Sequence, residues 1–288
     1  ECLVGSEMCI RDRPDRVFRR HHAGAGRQGT ELVHMNGVMK MKKKTIKKRI
    51  LAGLLAFSLI VPANVAGAKT QTVLETNVTE ASEGCTLVGV YGSYFAQAKE
   101  ALAKINEIRK EACEAGNIRD PRNSGRYLQP SDYVPLKWSS DLEYIARIRA
   151  AEAGIAFRFM DSGHDRLNEK GTFSIGSNGI TSSSEDLAYY YVKDMIEGVL
   201  LWYSEKQYWV KQDFSEETRH YTSMINPKYT YVGFGGFYSE AAPYPATMAG
   251  EFSAKSDLDE TMMEAPEDVM QKIEVSNDYI QELSLIHI

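Results

Sequence analysis

The sequence predicts an α+β fold in which helices of the first half pack on a small antiparallel sheet near the end. Leu102, Ile105, Ile108 and Ala112 fall at the three- and four-residue spacing of a helix face. A second helix carries the small residues Ala146, Ala150 and Ala153, which suit close packing. Residues 230–238 and 246–253 alternate as strands around a turn at 241–245.

Both ends are expected to lie outside the folded part. The last six residues, Leu283 to Ile288, are what CTG TCT CTT ATA CAC ATC encodes, and the opposite strand in another frame gives Met8 to Asp12. One oligonucleotide resembling a sequencing-library transposon end therefore accounts for both, and residues 1–38 and 283–288 are set aside as adapter and upstream translation. Residues 39–68 carry a lysine-rich start, the apolar run 50–61 and Ala66-Gly67-Ala68, the three parts of a secretory signal peptide cleaved after Ala68. The apolar run is too short for the roughly 20 residues that span a bilayer, so no membrane span is expected in the mature protein. The remaining organisation is a leader or a short strand over 69–92, a folded domain over 93–253, and an acidic linker or the start of a further domain over 254–282.

Within the folded part, the first helix is expected over 95–115, stopped by Gly116 and Asn117, before a loop over 117–133. Ser139 or Ser140 caps the second helix, which stops near Met160. A Gly- and Ser-rich stretch over 161–184 holds a short strand at 172–175, and 187–210 reads as helical in two pieces. The full chain carries 34 Lys and Arg against 39 Asp and Glu, but residues 1–68 hold 13 of the basic and 5 of the acidic groups, which leaves 21 against 34, a net of −13. Such an acidic chain does not bind nucleic acid by neutralising phosphates. Cys85 and Cys113 are the two cysteines of the mature chain, either one disulfide or two free thiols.

Of the six histidines only His164 and His220 fall within 69–282. His164 follows the second helix in Ser162-Gly163-His164-Asp165-Arg166. Glu185 completes Ser182-x-x-Glu185 ahead of an apolar run, the pattern of a capping box. Glu205 lies three and four residues from Trp202 and Leu201 on one side and from Tyr208 and Trp209 on the other. On a helix that places its carboxylate on an aromatic face, where it needs a partner or a task. His220, just before Asn226-Pro227 and the first hairpin strand, is expected at the edge of the sheet.

Together these segments resemble the CAP superfamily of cysteine-rich secretory proteins, antigen 5 and pathogenesis-related 1 (SCP-like extracellular proteins). Leu136-x-Trp138-x-x-x-Leu142-x-x-x-Ala146, preceded by Ile105-Asn106-x-x-Arg109, looks like the start of such a domain. Ser184-Glu185-Asp186-Leu187 resembles the family's Gly-Glu-Asn-Ile, Trp202-Tyr203-x-Glu205 its Trp-Tyr-x-Glu, and Arg219-His220-Tyr221-Thr222 its Gly-His-Tyr-Thr. The likeness runs over 94–253, and Asn226-Pro227-Lys228-Tyr229 is closer to the bacterial branch. It implies an α-β-α sandwich whose central cleft carries His164, Glu185, Glu205 and His220 as a tetrad. The two histidines would hold a divalent cation, zinc first, weakly, because two imidazoles leave positions open for water. Asp186 and Arg219 depart from the pattern, standing where the family has Asn and Gly.

The expected function is a secreted binding or interaction module that takes a small, lipid or peptide ligand in that cleft. The alternative is an extracellular protease or esterase using a metal-activated water or Ser184, Ser204 or Ser223, but no complete catalytic set is recognisable. In a further alternative the tetrad is a metal-free polar cluster that only holds the fold.

Overall fold

The computed structural model describes residues 80–156, 163–189 and 192–280. The adapter and signal-peptide expectations, for 1–68 and 283–288, lie outside these residues. In chain order the elements are β1 (Cys85–Tyr94), α1 (Ala98–Glu114), β2 (Arg119–Asp120), β3 (Asn123–Tyr127), β4 (Lys137–Trp138) and α2 (Ser140–Ala156), followed by β5 (Gly176–Ser177), β6 (Ile180–Thr181) and β7 (Ser184–Tyr189). Then come α3 (Met195–Tyr203), α4 (Lys206–Lys211), α5 (Arg219–Ile225), β8 (Tyr231–Tyr238), β9 (Ala246–Ser253) and β10 (Val269–Ser276). The main sheet runs β10-β1-β8-β9-β7, antiparallel between these neighbours, with short β4 added parallel to β8. β1 pairs with β10 from Cys85 to Gly92 and passes to β8 only through Ser93 and Tyr94, which curls the sheet.

The alternation of β8, Tyr-Val-Gly-Phe-Gly-Gly-Phe-Tyr, makes the sandwich. Gly233 and Gly235 face α2 so closely that a Cβ on Gly233 would stand 2.0 Å from the Glu143 nitrogen, and one on Gly235 2.4 Å from the Ala146 carbonyl carbon. The small-residue face of α2 therefore lies directly on the strand, and all but Ser140 and Tyr144 of the helix's residues are buried. On the opposite face Val232, Phe234, Met248 and Phe252 join Ile105, Ile108, Trp202 and Tyr221 of α1, α3 and α5 in the core. Phe234 packs against Trp138 and Trp202 with ring centroids 5.8 and 5.9 Å away. The result is the expected α+β, α-β-α arrangement.

Two residues of the opening motif act as clamps. Asn106 exchanges two hydrogen bonds with the Leu136 backbone, and buried Arg109 donates to the carbonyls of Val134, Met224, Asn226 and Tyr229. Burial pushes the Arg109 guanidinium down to about 10, still charged at neutral pH.

Three expectations change. Residues 172–174 form a 3₁₀ turn, and the neighbouring hairpin is β5–β6, whose Asn178 and Gly179 supply the positive φ of a two-residue loop. Residues 187–189 are strand, because β7 pairs with β9 along its whole length. The segment 254–282, expected as a linker or a further domain, contains β10, the antiparallel partner of β1, and of the two readings of 69–92, leader or short strand, β1 from Cys85 fits the strand. The chain between β9 and β10 is tied to α2 by Met263 N–H donating to Glu143 and by Arg147 donating to the carbonyls of Met263 and Glu264. Cys85 and Cys113 are free thiols, so of the two sequence readings the disulfide is the one not adopted.

Candidate functional site

Successive side chains of a strand point to opposite faces, and β7 uses that to build two sites. Glu185 faces α2, whereas Ser184 and Asp186 face α5, where the Ser184 and Ser223 hydroxyls meet at 3.1 Å. Glu185 therefore does not cap a helix: its carboxylate is held by Arg149 on a neighbouring helix. The first cap in this region is instead Asp194, whose carboxylate accepts from the Glu197 N–H at the start of α3.

On the α2 face, Arg149 grips Glu185 with two nitrogens, Nε to Oε2 at 2.5 Å and Nη2 to Oε1 at 3.0 Å. The same guanidinium donates to Glu152 at 2.7 Å and to the carbonyls of Gly163 and His164 at 2.8 and 3.0 Å. It thus positions the carboxylate and the loop that carries the imidazole, and His164 Nδ1 stands 2.7 Å from Glu185 Oε1. Burial opposes charge on Glu185, but Arg149 and His164 outweigh it and hold this carboxyl below the usual range. Directly across the β7–β9 pair lies Glu251, buried, with neither carboxylate oxygen hydrogen-bonded among the described residues. Burial first, then the neighbouring Glu185 charge, push the Glu251 acid well above its ordinary value. Of the two carboxyls, Glu185 is the one whose charge is favoured and Glu251 the one whose proton is favoured.

On the other face, Glu205 sits in the junction between α3 and α4. Its Oε1 is 2.5 Å from His220 Nδ1 and its Oε2 accepts the Tyr221 N–H at 3.1 Å. The Trp202 ring stacks beside the imidazole, centroids 6.3 Å apart and planes 21° from parallel. His220 is on α5, not on the sheet edge, and it is buried because that short helix is pressed between α1 and β7. Burial disfavours the imidazolium, but Glu205, then Asp186 and Glu217, outweigh it and push His220 up to about 9. Asp186 itself is raised well above its ordinary value, by burial first and then by Glu205 and Glu185.

The structure thus brings the four motif residues together as two pairs, His164 with Glu185 and His220 with Glu205. Among the described residues no group of three or more His, Cys, Asp or Glu side chains is placed to hold one metal ion. The motif reading did not find Arg149, Glu152 or Glu251. Arg149 had a signal: it falls on the stripe Leu142, Ala146, Arg149, Ala153, a charge on the packing face of a helix. Glu251, the register partner of Glu185, had none.

The sequence model described as the cysteine-rich secretory protein family, CAP, matches residues 102–247. The chain belongs to this family. No curated protein matches it. All four tetrad positions of this CAP domain lie inside the matched residues, whereas β1 and β10 lie outside them. Among the described residues no helix is long and apolar enough to cross a membrane.

Proposed function

We propose that this chain is an exported CAP-domain binding module, released by cleavage after Ala68, whose histidine–carboxylate pairs are the contact points for a divalent cation and for a small, lipid or peptide ligand. The observation that carries the reading is that each imidazole commits Nδ1 to its own carboxylate. That arrangement fixes the ring and makes Nε2 the atom that would meet a ligand, as in carboxylate-oriented metal-binding histidines. The donor set fits a divalent ion one imidazole at a time, with water filling the remaining positions, and His220 must first give up its proton, both of which make for weak binding.

The hydrolase alternative has less support. Among the described residues the partners of its three candidate hydroxyls are not histidines: Ser184 and Ser223 meet each other, and Ser204 donates to the Leu201 carbonyl. Zinc calorimetry on the exported chain tests the proposal. Saturable uptake in the wild type whose stoichiometry falls in His164→Ala or in His220→Ala, and which is lost when both are replaced, supports it. A silent titration, with the variants lowering only the melting temperature, returns the tetrad to a purely structural role. Turnover of a peptide or ester panel abolished by Glu205→Gln would establish the hydrolase instead.

A further inference from the structure

A cavity of about 370 Å³ opens between α2, the β1–β10 half of the sheet and the segment 166–176, and none of the four tetrad residues lines it. Its volume is at the lower end of the roughly 300–1,000 Å³ common for small-molecule sites. Leu87, Ile148, Ile175 and Ile273 give it aliphatic walls, and Arg166, Lys272 and Lys170, the last paired with Glu274, give it cations.

Arg166 is the informative wall. Its side chain is only 4 % exposed, and it is fixed by Nε donating to Glu152 at 2.7 Å and Nη1 donating to the Ser174 hydroxyl at 2.8 Å. Its remaining nitrogen, Nη2, donates to no described residue, although the guanidinium borders the cavity. Where Nη2 reaches the cavity it offers its N–H donors to an acceptor. Lys272, half-buried on β10, has no carboxylate partner among the described residues. The carboxylates on the wall do not serve as that acceptor. Glu274 already accepts from Ser82 at 2.8 and 2.7 Å and from Asn168 at 2.6 Å, and Glu80 is exposed.

We propose that this cavity binds a small carboxylate with a short aliphatic body. The acid group takes Arg166 Nη2 and the Lys272 ammonium, and the hydrocarbon lies against Leu87, Ile148, Ile175 and Ile273. A carboxylate is favoured over a neutral acceptor because Nη2 and the Lys272 ammonium can each give one of its oxygens a charge-assisted bond. The site is independent of the histidine pairs, so it stands or falls apart from the zinc experiment.

Calorimetric titration of the full chain with hexanoate, and with hexylammonium as the opposite-charge control, tests it. Arg166 also secures buried Glu152, so the variants are Lys272→Glu and Leu87→Trp, both at half-buried strand positions, with circular dichroism verifying the fold. Hexanoate is expected to saturate, with hexylammonium at least about tenfold weaker. Lys272→Glu weakens hexanoate roughly tenfold, the scale of one lost charge-assisted contact, and Leu87→Trp fills the cavity and abolishes binding. Failure of hexanoate to saturate, equal binding of hexylammonium, or wild-type affinity in folded Leu87→Trp overturns the proposal.

Discussion

The two histidine–carboxylate pairs have the same contact, imidazole Nδ1 to carboxylate oxygen, in opposite surroundings. Glu185 shares its charge with Arg149, and through Arg149 with the Glu152 and Arg166 pair, so His164 is one member of a buried chain of alternating charges. Glu205 has no guanidinium beside it among the described ion pairs. His220 balances it alone, under the Trp202 ring and next to a second buried acid, Asp186. On the α2 face the carboxylate is held down by a cation and the imidazole is 26 % exposed. On the other face the imidazole is held charged by the carboxylate, and its side chain is 9 % exposed. One motif chemistry therefore yields a pair built to meet solvent and a pair built to stay charged inside the protein.

The largest expected effect breaks the first pair. Arg149→Met leaves Glu185 and Glu152 buried without their shared cation, which costs roughly 4 kcal/mol in denaturant unfolding. The second pair responds less. Glu205→Gln removes a charged hydrogen bond and costs about 2 kcal/mol at pH 6. Its signature is the pH dependence. The folded-state value of His220, about 9, lies above the ordinary 6.5, so the pair's stabilisation is complete below pH 6.5 and is lost as pH rises through 9. Wild-type stability is expected to fall across that window and the Gln variant to lack this fall.

Asp186→Asn gives the smallest effect and the opposite sign. An acid raised by burial takes up a proton on folding, so it costs stability increasingly as pH rises above 3.8. The variant is expected to gain more in melting temperature at pH 8 than at pH 4. It also restores the Asn of the Gly-Glu-Asn-Ile pattern.

How much of this was legible in the sequence follows from how local each feature is. The β8–β9 hairpin was readable because glycine alternates with aromatic residues within one segment, and the packing of α2 because its small residues repeat at helical spacing. Glu185 was misread because Ser182-x-x-Glu185 is a local helix pattern, whereas the strand that contains it exists only through pairing with β9, more than fifty residues on. β10 was hidden for the same reason, since its partner β1 lies at the other end of the domain. The tetrad residues were found by motif, but their separation into two faces depends on β7 alternation, which the helical reading concealed.

The separation of the pairs across β7 is the central claim, and imidazole NMR titration tests it most directly. Glu205→Gln is expected to lower the His220 midpoint from about 9 and leave the His164 ring signals in place. Glu185→Gln is expected to move the His164 signals and leave the His220 midpoint unchanged. If either substitution shifts the two rings together, the four residues form one cluster and the two-site account is wrong.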